Sequence, residues 1–284
     1  MKKCLGVLML LGLLFCVSAK AEEMIQVKGS DTMVNLVQSW AESFMGEHPD
    51  AFVAVTGGGS GTGIASLLNR TCDIAECSRK MKQEEIELAR KKGINPLEWT
   101  VALDGLAVVV SAENPVDKLT INQLADIFTG RITNWKEVGG MDSKIVILSR
   151  EVNSGTHVYF KEHVLRRGNA AHQDEFAVSA LLMPSSQAIA DEIAQNPQAI
   201  GYYGMGYVGS GQKAVAVAKD ENSMYILPLI KNVINGEYAI SRPLFMYTDG
   251  EPQGLVKEFL DFALSNEGQK IVLDLDFVPI KPVE

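Results

Sequence analysis

The chain has 284 residues, of which 46% are hydrophobic and 21% charged, and its formal net charge is −9. An acidic balance of this size makes nucleic acid and anionic membrane poor partners. The length exceeds that at which one hydrophobic core keeps growing, so two lobes are expected.

Lys2 and Lys3 precede an apolar run from Leu5 to Val17, and Ala19-Lys20-Ala21 then supplies the small-x-small pattern of a signal-peptidase site. Residues 1–21 therefore read as a cleavable signal peptide. Cleavage removes Lys2, Lys3 and Lys20 and no acid, which takes the net charge from −9 to −12. Lipid attachment at Cys16 is the alternative, but bulky Phe15 stands where a small residue normally precedes an acylated cysteine. No later stretch approaches the roughly 20 apolar residues that span a bilayer. Cys72 and Cys77 stay in the mature chain; five extended steps between them cover about 16 Å, beyond the ~7 Å limit for bridged Cα atoms, so two free thiols are expected.

Ile25 to Lys28 reads as a strand, Gly29-Ser30-Asp31-Thr32 as a turn, and Met33, Leu36, Val37, Trp40, Ala41 and Phe44 recur at helical spacing. The unit repeats: a strand from Phe52 to Thr56, a glycine-rich turn from Gly57 to Gly63, and a helix marked by Ile64, Leu67 and Leu68. A third runs from Cys72 to Ala75 through Ser78-Arg79 into a charged helix around Gln83 to Lys92 that Gly93 stops. A fourth takes Lys144 to Leu148 through Arg150 to Thr156 into a helix carrying Val158, Phe160 and Val164. Such repetition predicts an α/β fold with mainly parallel sheets flanked by helices, and ligands beyond the carboxyl ends of the strands. The apolar run Leu103 to Val110 is long enough to pass between lobes, and Lys213 to Ala218 offers a return. The expected division is a first domain of 22–110 and 219–284 flanking a second of 111–218.

Each of the four turns places Ser, Thr, Gly or Asn just ahead of a helix, where unpaired N–H groups and the helix dipole favour an anion. A single Ser or Thr there is explained by an N-cap worth about 1 kcal/mol. Five glycines between Gly57 and Gly63 are not, because they cost backbone entropy and fill no core; they point to close approach of the backbone to something. Arg150, four residues before Ser154-Gly155-Thr156, stands where a helix dipole should repel it, which makes an oxyanion partner as good a reading as a surface arginine near a helix start. No Walker sequence is present, and Ser154 with His157 lacks the G-x-S-x-G elbow of a hydrolase. The four histidines form no metal-ligand spacing, so neither metal nor cofactor is expected.

In order along the chain, Gly29-Ser30-Asp31-Thr32, Gly59-Ser60-Gly61-Thr62-Gly63, Asp73-Ile74-Ala75-x-x-Ser78-Arg79, Leu124-x-x-Ile127-Phe128-x-Gly130-x-Ile132-Thr133-Asn134-Trp135, Arg150 with Ser154-Gly155-Thr156, and Ser241-Arg242-Pro243-Leu244 resemble the motifs of the phosphate-binding proteins of bacterial ABC importers. The resemblance implies a two-lobed periplasmic binding protein fold of type II. It further implies a monomeric, non-enzymatic periplasmic receptor that passes inorganic phosphate to the importer's permease subunits. Carried over by motif, the contact residues are Ser30, Asp31, Thr32, the N–H of Met33, Ser60, Ser78, Arg79, Arg150, Ser154, Gly155 and Thr156. Ser78 departs from one branch of the family, which has at that position an aspartate that accepts the proton of hydrogen phosphate. Asp31 is the nearest candidate for that task here. Receptors for sulfate, molybdate or tungstate would use the same helix ends, and a secreted phosphatase is the enzymatic alternative.

Overall fold

The computed structural model describes residues 23–283. The signal-peptide reading and Cys16 fall outside the described residues. Within them no helix is long and apolar enough to cross a membrane.

The three N-terminal strand-turn-helix units are present: β1 (Glu23–Gly29), α1 (Val34–Glu47), β2 (Ala51–Thr56), α2 (Ser60–Leu68), β3 (Ile74–Cys77) and α3 (Gln83–Lys91). β1 pairs in parallel with β2, Glu23 against Ala51 through Lys28 against Thr56, and with β3, Val27 against Ile74. β4 (Pro96–Ser111) follows as a single 16-residue strand. Beyond it come β5 (Lys118–Thr120), α4 (Ile121–Phe128), β6 (Val146–Arg150), α5 (Gly155–Phe160) running into a π turn at Lys161–Leu165, β7 (Leu181–Met183), α6 (Ser186–Gln195) and β8 (Ala199–Gly204). The chain ends through β9 (Gln212–Ala214), β10 (Ala216–Ala218), α7 (Ile230–Ile234), β11 (Ser241–Asp249), α8 (Gly254–Leu264) and α9 (Asn266–Asp274). The main sheet has the order β2-β1-β3-β11-β4-β8-β6-β7, with β9 added to β4. Parallel ladders outnumber antiparallel ones, and the antiparallel pairings all involve β4 or β11.

β4 joins two hydrophobic cores. Val101 and Ala102 pack with Ile25, Trp40, Phe44, Leu244, Phe259 and Phe277, whereas Leu106, Val108 and Val110 pack with Phe128, Trp135, Phe160, Tyr202, Tyr238 and Ile240. Alternation along a strand sends Ala107 and Val109 to the opposite face, where α6 covers them through Ile189, Ala190 and Ile193. Helices thus lie on both faces of each half of the sheet. In α1 the residues Leu36, Val37, Trp40, Ala41 and Phe44 form one buried stripe, and Trp40 Nε1 donates to the Gly268 carbonyl at 2.7 Å.

Two expectations need correction. Lys213 to Ala218 does not return the chain to the first core: β9 pairs with β4 and β10 with β5. Val215, Val217, Val233, Tyr238 and Ile240 all pack in the core of the middle section, so the crossing back comes at β11. Third-unit pairing begins at Ile74, two residues later than read from sequence; Cys72 lies outside the strand, and both thiols are buried and free.

Candidate functional site

Four turns that follow parallel strands converge between the two cores. Thr32, ahead of α1, places Oγ1 at 2.8 Å from Oγ1 of Thr156 in the first turn of α5. Ser78, at the end of β3, lies 3.4 Å from both Thr156 Oγ1 and Ser60 Oγ, and Ser60 Oγ also accepts the Ser78 N–H at 3.0 Å. Thr32, Ser60, Ser78 and Thr156 are buried to within 1% of complete. Hydroxyls donate and accept, so this cluster satisfies itself and can equally turn its donors toward an oxyanion. Gly155 makes the approach possible: a Cβ there would collide with Ser60 Oγ and lie 2.7 Å from Ser78 Oγ.

Arg242 bonds the cluster directly, and Arg150 holds Asp31, the neighbour of Thr32. Arg150, at the end of β6, donates through one terminal nitrogen to Asp31 Oδ2 at 2.7 Å and to the Pro184 carbonyl at 3.1 Å, and through the other to Ser186 Oγ at 3.1 Å. Its Nε is buried without a partner among the described residues. Burial pulls the Arg150 pKa below the usual guanidinium range, with the charge of Asp31 opposing. Arg242, at the start of β11, grips Asp104 Oδ2 through Nε at 3.1 Å and a terminal nitrogen at 2.9 Å. It also donates to Thr156 Oγ1 and to the Ser78 carbonyl, each at 3.0 Å. Arg242 therefore positions two of the four hydroxyl-bearing residues, a role sequence reading did not assign to it.

The glycine-rich turn does approach another backbone. Gly61 N–H donates to the Asn153 carbonyl at 3.0 Å, and a Cβ on Gly59 would sit 2.8 Å from that same oxygen. Asn153 Nδ2 returns bonds to the Gly58 carbonyl at 2.8 Å and Thr62 Oγ1 at 3.2 Å. Asn153 and Tyr207, whose hydroxyl donates to the Asp31 carbonyl at 2.8 Å, are contacts between the halves that sequence reading missed.

Other expected residues have partners of their own. Arg79 gives both terminal nitrogens to Glu85, at 2.8 and 2.7 Å, and lines a cavity of about 510 Å³ with Tyr159, Glu162 and Arg242. A capping carboxylate at the third position of α3 captures it, and Arg79 to Lys82 intervene between Ser78 and that helix. The Met33 N–H is used within its own turn, donating to the Ser30 carbonyl at 2.8 Å, while the Ser30 N–H goes to the Glu76 carbonyl. Ser154 Oγ caps α5 by accepting the His157 N–H at 3.4 Å. Asp31 spends Oδ2 on Arg150 and Oδ1 on the Gly58 N–H, so both oxygens already accept from protein donors.

The Ser154 and His157 pair has no hydrolase geometry. His157 Nδ1–H donates to the Arg150 carbonyl at 2.9 Å, and its ring packs on Phe176 at 4.6 Å. Burial lowers its pKa to about 4, so the imidazole is neutral near pH 7 and faces the core rather than a nucleophile.

The model of the PBP superfamily domain matches residues 17–267. The phosphate-binding protein PstS of Bacillus subtilis is 35% identical over 93% of this chain and 84% of its own length. Among solved structures, a putative phosphate ABC transporter substrate-binding protein with bound phosphate from Clostridium perfringens is 33% identical, with a TM-score of 0.81 over 91% of this chain and 100% of its own. An ABC-type phosphate transport receptor from Vibrio cholerae is 32% identical, with a TM-score of 0.71 over the same shares. With strand-end hydroxyls, two arginines and this extent of identity, the chain belongs to the PBP superfamily and, within it, to the PstS family of phosphate-binding proteins.

Proposed function

We propose that this chain is a periplasmic, monomeric, non-enzymatic receptor whose two lobes close around inorganic phosphate and deliver it to the permease of an ABC importer. The observation that carries the reading is the buried hydroxyl cluster drawn from both cores, Thr32, Ser60 and Ser78 on one side and Thr156 on the other. Capture would exchange neutral hydroxyl–hydroxyl contacts for charge-assisted bonds to an oxyanion, which are roughly twice as strong. The chain carries a net charge of −9, so binding relies on local donors and Arg150 inside the cleft rather than on the overall field.

Phosphate is expected to contract the protein in small-angle scattering and to raise its melting midpoint, by about 2.7 kcal/mol of stability at a hundredfold excess over Kd. Competition among phosphate, arsenate, sulfate and molybdate in one calorimetric series tests the ligand. Phosphate and arsenate should displace each other at comparable concentrations. Preference for sulfate or molybdate would assign the site to an anion that brings no proton.

Gly155→Ala tests the closeness of the two sides. The added Cβ would push Ser60 and Ser78 aside in the closed form, an overpacking of about 1–3 kcal/mol, so phosphate affinity should fall roughly 10–100-fold. Unchanged affinity in calorimetry would mean that the ligand does not bring Gly155 against Ser60.

A further inference from the structure

Glu76 on β3 is fully buried, and neither of its carboxyl oxygens has a hydrogen-bond partner among the described residues. Buried charges are normally paired, so an unpaired carboxyl in this position calls for a physical reason. Its placement is fixed by the backbone. Glu76 stands in register between Gly29 of β1 and Met246 of β11, and its carbonyl accepts the Ser30 N–H at 2.9 Å. Its Cγ lies 3.1 Å from the position a Cβ on Gly29 would take, and strand alternation puts its side chain on the same face as that of Ser78. The carboxyl is thus packed beneath the turn that presents Thr32 to the hydroxyl cluster.

The titratable groups whose charges couple with it are Asp31 from that turn, Tyr207 from the single helical turn Met205–Tyr207 after β8, and Cys77 beside it on β3. None is a cation. Arg150, whose charge also reaches Tyr207, is engaged with Asp31, and Arg242 of β11 is committed to Asp104. Burial, and then the charge of Asp31, push the Glu76 carboxyl well above the usual carboxylate range.

We propose that Glu76 is the proton-linked residue of the oxyanion site: it is neutral when the site is formed, and its ionisation beside Asp31 opposes capture of the anion. The proposal rests on the phosphate reading above. Asp31 is balanced by Arg150, whereas an ionised Glu76 would add an uncompensated negative charge under Thr32. Binding then draws a proton onto Glu76 wherever the unliganded site is partly ionised, without requiring Glu76 to touch the ligand.

The test is titration of inorganic phosphate into wild type and Glu76→Gln from about pH 5 to pH 9, in two buffers of unequal ionisation enthalpy at each pH. Phosphate's own titration is common to both proteins, so their difference isolates Glu76. Wild type should lose up to tenfold more affinity per pH unit than the variant as pH rises, and should take up more protons on binding. Melting without ligand is the second arm. A Glu76 that is neutral when folded and ionised when unfolded makes the folded state hold the extra proton above the unfolded pKa of about 4.3. The wild-type folding equilibrium constant should therefore fall up to tenfold per pH unit above that value until the folded pKa is passed. Glu76→Gln, and Glu76→Met as a second group of similar volume that cannot ionise, should remove that slope and melt higher than wild type near pH 7–8. Equal affinity profiles and equal melting slopes would overturn the proposal. Altered melting slopes with no phosphate binding by either protein would overturn the phosphate reading and, with it, the link to capture, while leaving Glu76 as a buried neutral acid.

Discussion

Arg242→Ala should lower stability by about 3–5 kcal/mol, a melting midpoint roughly 6–20 °C below wild type, and should weaken phosphate binding as well. Both members of its pair with Asp104 are almost wholly buried, at 1% and 0% side-chain exposure. Asp104 Oδ1 still accepts the Met205 N–H at 3.2 Å after the substitution, but the charge on the carboxylate loses its counter-ion in a medium that solvates it poorly. The binding loss has a different origin, because Arg242 holds Thr156 Oγ1 and the Ser78 carbonyl. A double variant, Asp104→Leu with Arg242→Met, separates the two effects. Removing both charges together should restore part of the stability, since a buried pair is strongly destabilising chiefly when one partner is left alone. Phosphate affinity should stay low, because Thr156 Oγ1 and the Ser78 carbonyl then lack the charged donor that holds both. Thermal melting and calorimetry on the same samples measure both quantities; recovery of affinity along with stability would remove Arg242 from the site.

The pairing of Arg242 with Asp104 also marks the limit of what local pattern reveals. Strand-turn-helix units around Ile25, Phe52 and Ile147 are legible because each is written within about thirty residues by period-2 and period-3.6 spacing. The hydroxyls of Thr32, Ser60, Ser78 and Thr156 are legible through the family resemblance, since a lone Ser or Thr at a strand end reads first as an N-cap. Arg242 and Asp104 are 138 residues apart, Asp104 within an apolar run and Arg242 within a motif given no role, and only the antiparallel pairing of β11 with β4 brings them together. Arg79 shows the reverse case. Its neighbour Ser78 joins the cluster, but the next position along a strand end points elsewhere, and Glu85 is close enough to take the guanidinium. The return to the first core was misplaced for a related reason: Lys213 to Ala218 reads like a connecting strand, and nothing local distinguishes pairing with β4 and β5 from pairing with the first sheet half.

Replacing Arg150 by alanine should cost more affinity for phosphate than replacing Ser154, by roughly 10–150-fold against about fivefold. A hydrogen bond to a charged group carries about 1.5–3 kcal/mol and a neutral one about 1. Arg150 is 1% exposed, reaches Asp31 on the opposite side of the cleft, and keeps a buried Nε donor unpaired among the described residues. Ser154 acts through its cap on α5, so its loss loosens the helix end without removing a charge. Stability should respond less than in Arg242→Ala. Asp31 is 15% exposed and retains the Gly58 N–H, so water can solvate the carboxylate that Arg150 leaves behind. Arg150→Lys should recover little of the affinity, because an ammonium cannot reproduce the planar fork that now spans Asp31, Pro184 and Ser186. Calorimetric titration of the three variants, each first shown to melt cooperatively, gives the ordering directly. Equal losses for Arg150→Ala and Ser154→Ala would place the Arg150 guanidinium outside the anion's reach and reduce it to a strut between the halves.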